Sequence, residues 1–142
     1  MKKEPAIGLV NGQLGACPKT PNCVSTNQED LNRYMLPIKY DGLTLEEAKA
    51  ILREVLTTLP KLSVVKDEGA YLHAEAQTMI FEYTQDVEFL FDEATRELHF
   101  KSASRVGYTD FGSNKRRMQA VVARFIRKRD ERLVQTEKEK TN

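Results

Sequence analysis

The sequence predicts an α+β fold: a single domain whose antiparallel β-sheet of about four to five strands is packed by a helix in the N-terminal half and a long C-terminal helix. Three observations carry this. Apolar residues recur at helical spacing in only two windows, near residues 45–59 and 114–133. The segments between them alternate with period two, and strand never alternates with helix as a parallel sheet requires. The chain of 142 residues has the length of one domain with one core. Residues 1–40 are expected to form an extended arm packed on a core domain of residues 41–133. The polar stretch 134–142 is expected to be a disordered tail.

The arm holds four of the five prolines and lacks sustained periodicity. The first helix begins at Thr44, which with Glu47 has the spacing of a capping box, while Leu43 and Ala48 suit a hydrophobic staple. Leu45, Ala48, Ile51, Leu52, Val55, Leu56 and Leu59 make its buried stripe, and Pro60 stops it. Strands follow at Leu62–Lys66 and, after a turn at Asp67-Glu68-Gly69, at Tyr71–Gln77, where Leu72, Ala74 and Ala76 share a face. The segment Met79–Tyr83 either continues that strand or starts another. Val87, Phe89 and Phe91, then Leu98 and Phe100 across a turn at 93–96, predict an antiparallel hairpin. Its register sets Phe91 against Leu98 and Phe89 against Phe100, and puts Glu88 opposite Lys101 on the outer, wet face. The last helix runs from Ser113 or Asn114 to about Leu133, with Met118, Val121, Val122, Phe125, Ile126 and Leu133 inward and Arg124, Arg127, Lys128 and Arg129 mainly on the wet side.

Composition excludes some functions. No apolar run approaches the roughly 18 residues of a membrane span, and the N-terminus lacks the apolar region of a secretory signal, so a cytoplasmic protein is expected. Catalytic signatures such as HExxH, GxSxG or a phosphate-binding glycine loop are missing. The net charge of +1 hides a segregation: residues 41–95 carry 4 basic and 12 acidic side chains, residues 96–132 carry 11 and 4. Either the halves neutralise each other, or a basic face awaits an anionic ligand, nucleic acid or a partner. Nucleic acid is the weakest of these, because aromatic residues do not interleave with the basic ones.

Chemistry concentrates in two places. Cys17 and Cys23 are close enough for a small disulfide ring worth about 2 kcal/mol, provided the surroundings are oxidising. Reduced thiols are the alternative, and five intervening residues fit a metal knuckle poorly. Neither a cofactor nor a metal site is expected. His73 and His99 alternate with apolar neighbours and are expected as surface imidazoles. From Ser102 to Arg117 a strand end enters a loop with two glycines and delivers Ser113 and Asn114 to a helix start. That start carries Lys115, Arg116 and Arg117 against the helix dipole. Its excess positive charge calls for a negative partner: Asp110, carboxylates of the acidic half, or a bound anion held by Arg105, Arg116 or Arg117.

Two stretches, Gly-Leu-Val-Asn-Gly-Gln-Leu-Gly-Ala-Cys-Pro-Lys-Thr-Pro-Asn-Cys-Val-Ser-Thr from Gly8 to Thr26 and Ser-Ala-Ser-Arg-Val-Gly-Tyr-Thr-Asp-Phe-Gly-Ser-Asn-Lys-Arg-Arg from Ser102 to Arg117, resemble the domain of unknown function 1499 family. The resemblance extends over roughly Gly8 to Arg129. Matching positions include Cys17, Pro18, Pro21, Asn22, Cys23, Ser25, Asp86, Phe89, Ser102, Ser104, Arg105, Gly107, Asp110, Gly112, Asn114 and Arg117. The resemblance implies exported or membrane-tethered relatives in which the cysteine pair can oxidise, although this sequence shows no leader. Lys101 stands where relatives more often carry Arg.

Three functions are compatible with this. The leading one is a small binding module for an anionic small molecule, a lipid headgroup or an acidic protein partner, with Ser102, Ser104, Arg105, Asp110, Asn114, Arg116 and Arg117 as ligand-binding residues. The second is an enzyme using Asp86, Asp110 or a serine in a cleft beside the sheet. The third is a thiol redox role for Cys17 and Cys23.

Overall fold

The computed structural model describes residues 7–27, 29–78, 83–107 and 109–141. Its elements run β1 (Leu9–Val10), β2 (Gln13–Leu14), β3 (Cys23–Ser25), β4 (Ile38–Lys39), α1 (Leu45–Thr57), β5 (Leu62–Glu68), β6 (Tyr71–Gln77), β7 (Thr84–Asp92), β8 (Glu97–Ser104) and α2 (Ser113–Thr141). The α+β architecture is the expected one. The centre of the sheet is an antiparallel meander, β5 to β8 in sequence order.

The β7–β8 register agrees with the reading from sequence, Phe91 facing Leu98, Phe89 facing Phe100 and Glu88 facing Lys101. Leu72, Ala74, Ala76, Val87, Phe89, Leu98 and Phe100 form the inner face, on which Ala48, Leu52, Val55 and Leu56 of α1 and Met118, Val121 and Phe125 of α2 pack as one core. Thr44 caps α1 through a complete capping box with Glu47. Leu43 and Ala48 are both buried there, as a staple pair would be.

Four expectations are corrected. The arm is not merely laid over the domain. β1 and β2 form a hairpin, while β3 and β4 both pair with β8 and raise the main sheet to six strands. A bare β8 would have left a row of N–H and C=O groups unpaired, and the arm satisfies them. Second, β5 runs through Asp67 and Glu68, and the turn tightens to Gly69 and Ala70, with Gly69 at φ +55°. Third, α2 continues past Leu133 to Thr141. Its last turns are rich in Glu, Lys and Gln, good helix formers, and Gln135 donates to Glu139 four residues on.

The fourth correction concerns the outer face. Glu88 and Lys101, expected in water, are 2% and 1% exposed. The N-terminal hairpin lies over this face: Leu14 is buried, and the Gly8 N–H donates to Glu88 Oε2 at 2.8 Å. Most of Met79–Tyr83 lies outside the described residues; the Tyr83 carbonyl accepts from the Thr78 N–H at 2.9 Å, and its N–H donates to Thr78 Oγ1 at 2.9 Å. Among the described residues no helix is long and apolar enough to cross a membrane.

Asp67 locks α1 to the sheet edge. Its carboxylate takes Lys49 Nζ at 2.8 Å and Arg53 Nε at 2.7 Å, and Lys49 also donates to the Gly69 carbonyl at 2.5 Å. The Arg53 hydrogen bond, then Lys49, hold the Asp67 carboxyl at about 2, against an ordinary 3.8. A carboxyl depressed on folding stabilises the protein above its unfolded value, and that contribution is lost as pH falls through the folded one. Asp67→Asn is therefore expected to cost on the order of 1 kcal/mol at neutral pH. Urea titrations of this variant should also show a shallower loss of stability between about pH 4 and pH 2 than the parent.

Candidate functional site

β8 sends alternate side chains to opposite faces, and this divides the Ser102–Arg117 stretch into two environments. Ser102 and Ser104 point inward, towards the start of α2, where Asn114 is 0% exposed. Asn114 Oδ1 accepts from Ser102 Oγ at 2.6 Å. Its Nδ2 faces three acceptors, Asp110 Oδ2 at 2.7 Å, Ser104 Oγ at 3.1 Å and the Asn22 carbonyl at 3.1 Å. Gln85 extends the network, donating to Ser104 Oγ at 2.9 Å and Ser113 Oγ at 2.7 Å while accepting from Arg117. Burial lowers the affinity of the Arg117 guanidinium for its proton, and the charge of Asp110 opposes that shift.

Arg105 points the other way. Its Nε donates to Asp86 Oδ2 at 2.8 Å, and its Nη2 to Asp86 Oδ1 at 3.0 Å and Glu75 Oε2 at 2.5 Å. His73 Nε2 meets Asp86 Oδ1 at 2.7 Å. Burial alone raises the Asp86 carboxyl, but the His73 and Arg105 hydrogen bonds outweigh it and hold the group below the usual carboxylate range. His73 is thus a buried partner of Asp86, not the surface imidazole expected; His99 is half-buried and meets Thr26 Oγ1 at 3.0 Å. Beside this cluster Tyr71 donates to Glu88 Oε2 at 2.5 Å, and burial followed by the Glu88 carboxylate pushes the phenol up. Burial pulls the Lys101 ammonium down against the opposing charges of Glu88 and Asp86.

The candidate residues therefore do not form one cluster. Ser102, Ser104, Asp110, Asn114 and Arg117 come together inside, Arg105 lies across the sheet, and Arg116 is exposed, donating to the Phe111 carbonyl at 2.8 Å. For Arg105 the negative partner is Asp86 with Glu75, both from the acidic half of the chain. Asp86, on the outer face, shares no network with Asp110 or the serines.

The second motif meets the first. Cys17 and Cys23 form a disulfide, and Cys23 pairs with Ala103 in the sheet. Asn22 Nδ2 donates to the Gly107 carbonyl at 2.9 Å, and its own carbonyl takes the Ser104 N–H at 2.9 Å. Beside this junction opens a cleft of about 340 Å³ walled by Pro21 and Cys23, by Asp30 and Arg33, and by Asp110 and Lys115. Arg33 is held by the Pro18 carbonyl, by the Lys19 carbonyl at 2.5 Å and by Asp30 at 3.3 Å.

The lining skips two apolar residues that sequence reasoning passed over, Leu31 (84% exposed) between Asp30 and Asn32 and Phe111 (78%) between Asp110 and Gly112. They are the two most exposed large hydrophobics among the described residues. Phe111 has φ +52°, a left-handed conformation that costs a non-glycine residue about 1–2 kcal/mol. Asp110 imposes it, accepting the Gly112 N–H at 2.8 Å on its side chain and the Ser113 N–H at 3.0 Å on its carbonyl. Gly112 itself has φ +80°, a conformation that side-chain-bearing residues rarely adopt, so glycine is needed at that turn. The only sequence signal for Phe111 was an aromatic residue flanked by Asp and Gly in a loop. No group of three or more His, Cys, Asp or Glu side chains among the described residues is arranged to hold a metal ion.

These environments assign different costs to Arg105, Arg116 and Asn114. Arg105→Ala strands the buried Asp86 carboxylate and is expected to cost on the order of 3 kcal/mol in denaturant unfolding. Asn114→Ala leaves several buried polar groups unpaired and should cost a similar amount, whereas Arg116→Ala should cost at most about 1 kcal/mol.

A family model described as Protein of unknown function (DUF1499) matches residues 13–125, a span that contains the second motif, the first from Gln13 onward and every candidate residue named above. No curated protein and no solved structure gives a match. With both motifs joined at the Asn22–Asn114 contact and most of its length covered by that model, the chain belongs to the DUF1499 family.

Proposed function

We propose that this protein is a small binding module and that its ligand site is the cleft between the 30–33 turn and the loop leading into α2. The ligand is an acidic group joined to an apolar body, as in a lipid headgroup with its chain or an acidic amphiphile. The observation that carries this reading is the strained, outward Phe111, set between Asp110 and Gly112 on the wall of a cleft that also carries Lys115.

Two physical points support it. An exposed aromatic kept in an unfavourable backbone conformation contributes nothing to the core, and such strain recurs at binding sites. Among the described residues Lys115 has no carboxylate within ion-pair range, and Arg116 beside it touches only a backbone carbonyl, so both charges remain available to an anion. The basic character needed for the leading sequence hypothesis thus moves from Arg105 and Arg117, which are committed internally, to Lys115 and Arg116.

Decyl phosphate, titrated by calorimetry below its micellar concentration, and vesicles of phosphatidylcholine with and without phosphatidylglycerol test this. Saturable binding of decyl phosphate is expected, weakened about tenfold or more by Phe111→Ser or Lys115→Glu while thermal stability stays within a few degrees of the parent. Stronger pelleting with the anionic vesicles would identify a headgroup at a surface as the natural form. Equal, weak binding by parent and both variants would overturn the proposal.

A further inference from the structure

We infer that the Cys17–Cys23 disulfide gates this cleft by holding Arg33 out of use, so that reduction adds a guanidinium to the anion site. The inference rests on the cleft being the ligand site, and it deepens that reading by naming how the site is regulated.

Arg33 lines the cleft, yet in the disulfide form its donors are spent. One terminal nitrogen donates to the Pro18 carbonyl, the other to the Lys19 carbonyl at 2.5 Å, and Nε faces Asp30 at 3.3 Å. Both carbonyls belong to the ring that the disulfide closes. The two ends of that ring are held differently. At the Cys23 end the chain is fixed without the disulfide: Cys23 to Ser25 pair with β8, and Asn22 binds Gly107, Ser104 and Asn114. At the Cys17 end, among the described residues, the disulfide and the Arg33 contacts are the bonds that hold residues 17–19 in place. A two-carbonyl grip on a guanidinium requires both carbonyls to stay aimed at it. Without the covalent closure, residues 17–19 regain their conformational freedom and the grip loosens.

The released guanidinium remains where an acidic ligand needs it. Its backbone stays anchored by its N–H to Asp30 and its carbonyl to Ser25, both at 2.9 Å, so the side chain swings without leaving the cleft wall. Phosphate or carboxylate is a better acceptor for a guanidinium than a neutral carbonyl and binds it through two parallel hydrogen bonds.

The exchange needs a dithiol reductant. Cys23 is 2% exposed while Cys17 is half-buried, so the attacking thiolate reaches Cys17 Sγ. A mixed disulfide forms there as the Cys23 thiolate leaves and takes up a proton. The second thiol of the reductant, as thiolate, then displaces Cys17, which is protonated in turn. Two electrons pass to the protein, and the reductant departs as its cyclic disulfide.

Two readouts separate this inference from the binding proposal itself. Amide hydrogen exchange on the oxidised and dithiothreitol-reduced protein should show faster exchange confined to residues 17–20 and 30–32, with the Arg33 N–H, β7, β8 and α2 unchanged. Calorimetry with decyl phosphate should show binding on the order of tenfold tighter after reduction. Arg33→Met should abolish that gain, its reduced form binding no tighter than its own oxidised form, and Cys17→Ala, which leaves the paired Cys23 backbone intact, should reproduce the reduced state. Unchanged exchange at 17–20 and 30–32 would overturn the gate. So would a gain in affinity that survives in Arg33→Met. Localised loosening with no binding of decyl phosphate in either state would sustain the mechanical coupling and overturn the cleft as the ligand site.

Discussion

The site depends on one buried amide. Asn114 enters the interior at the first turn of α2, and an amide there must find partners or cost several kcal/mol. It finds them on three separate segments: the strand end at Ser102 and Ser104, the turn at Asp110, and the arm at Asn22. That single side chain fixes where the helix starts, where the loop before it bends and where the arm joins the sheet. Asp110, held by Asn114, then sets the left-handed turn that turns Phe111 outward.

The second constraint is the burial of charge on the outer face. Asp86, Glu88 and Lys101 sit on the two central strands under the N-terminal hairpin, where isolated ions would be prohibitively expensive. Each is compensated. Asp86 has a bidentate arginine and a histidine, Glu88 has a phenol and a backbone N–H, and Lys101 lies opposite Glu88 in the ladder. The segregation of acidic and basic residues along the chain finds part of its explanation here. Arg105 from the basic half reaches back to Glu75 and Asp86 of the acidic half, and Lys128 and Arg132 of α2 reach Glu54 and Glu47 of α1. Much of the charge asymmetry is neutralised within the fold, while Lys115 and Arg116 keep their charges exposed.

The elements were legible because their signals are local. A capping box at Thr44, period-two alternation in β6 to β8 and helical spacing from Met118 to Phe125 each constrain a few neighbouring residues. The hairpin register followed from demanding that Phe89, Phe91, Leu98 and Phe100 share one core. The candidate site was legible only as a list of residues. Ser102, Ser104 and Arg105 stand in consecutive positions of interest, yet a strand sends the serines and the arginine to opposite faces, and Arg116 and Arg117 diverge by the 100° step of a helix. His73 and Glu88 were misplaced for one reason: alternation gives the face, but not what covers it.

By itself the sequence determined the fold class, the two helices, the meander and the importance of two motifs, because propensity, periodicity and capping act over a few residues. Tertiary structure alone decided that the arm completes the sheet, that Glu88 and Lys101 on the outer face are buried, and that Asn22 and Asn114, ninety-two positions apart, meet. It also decided that the 30–33 turn and the loop before α2 wall a common cleft. These are matters of long-range closure, in which buried polar groups must find partners from elsewhere in the chain, and no window of neighbouring residues contains them.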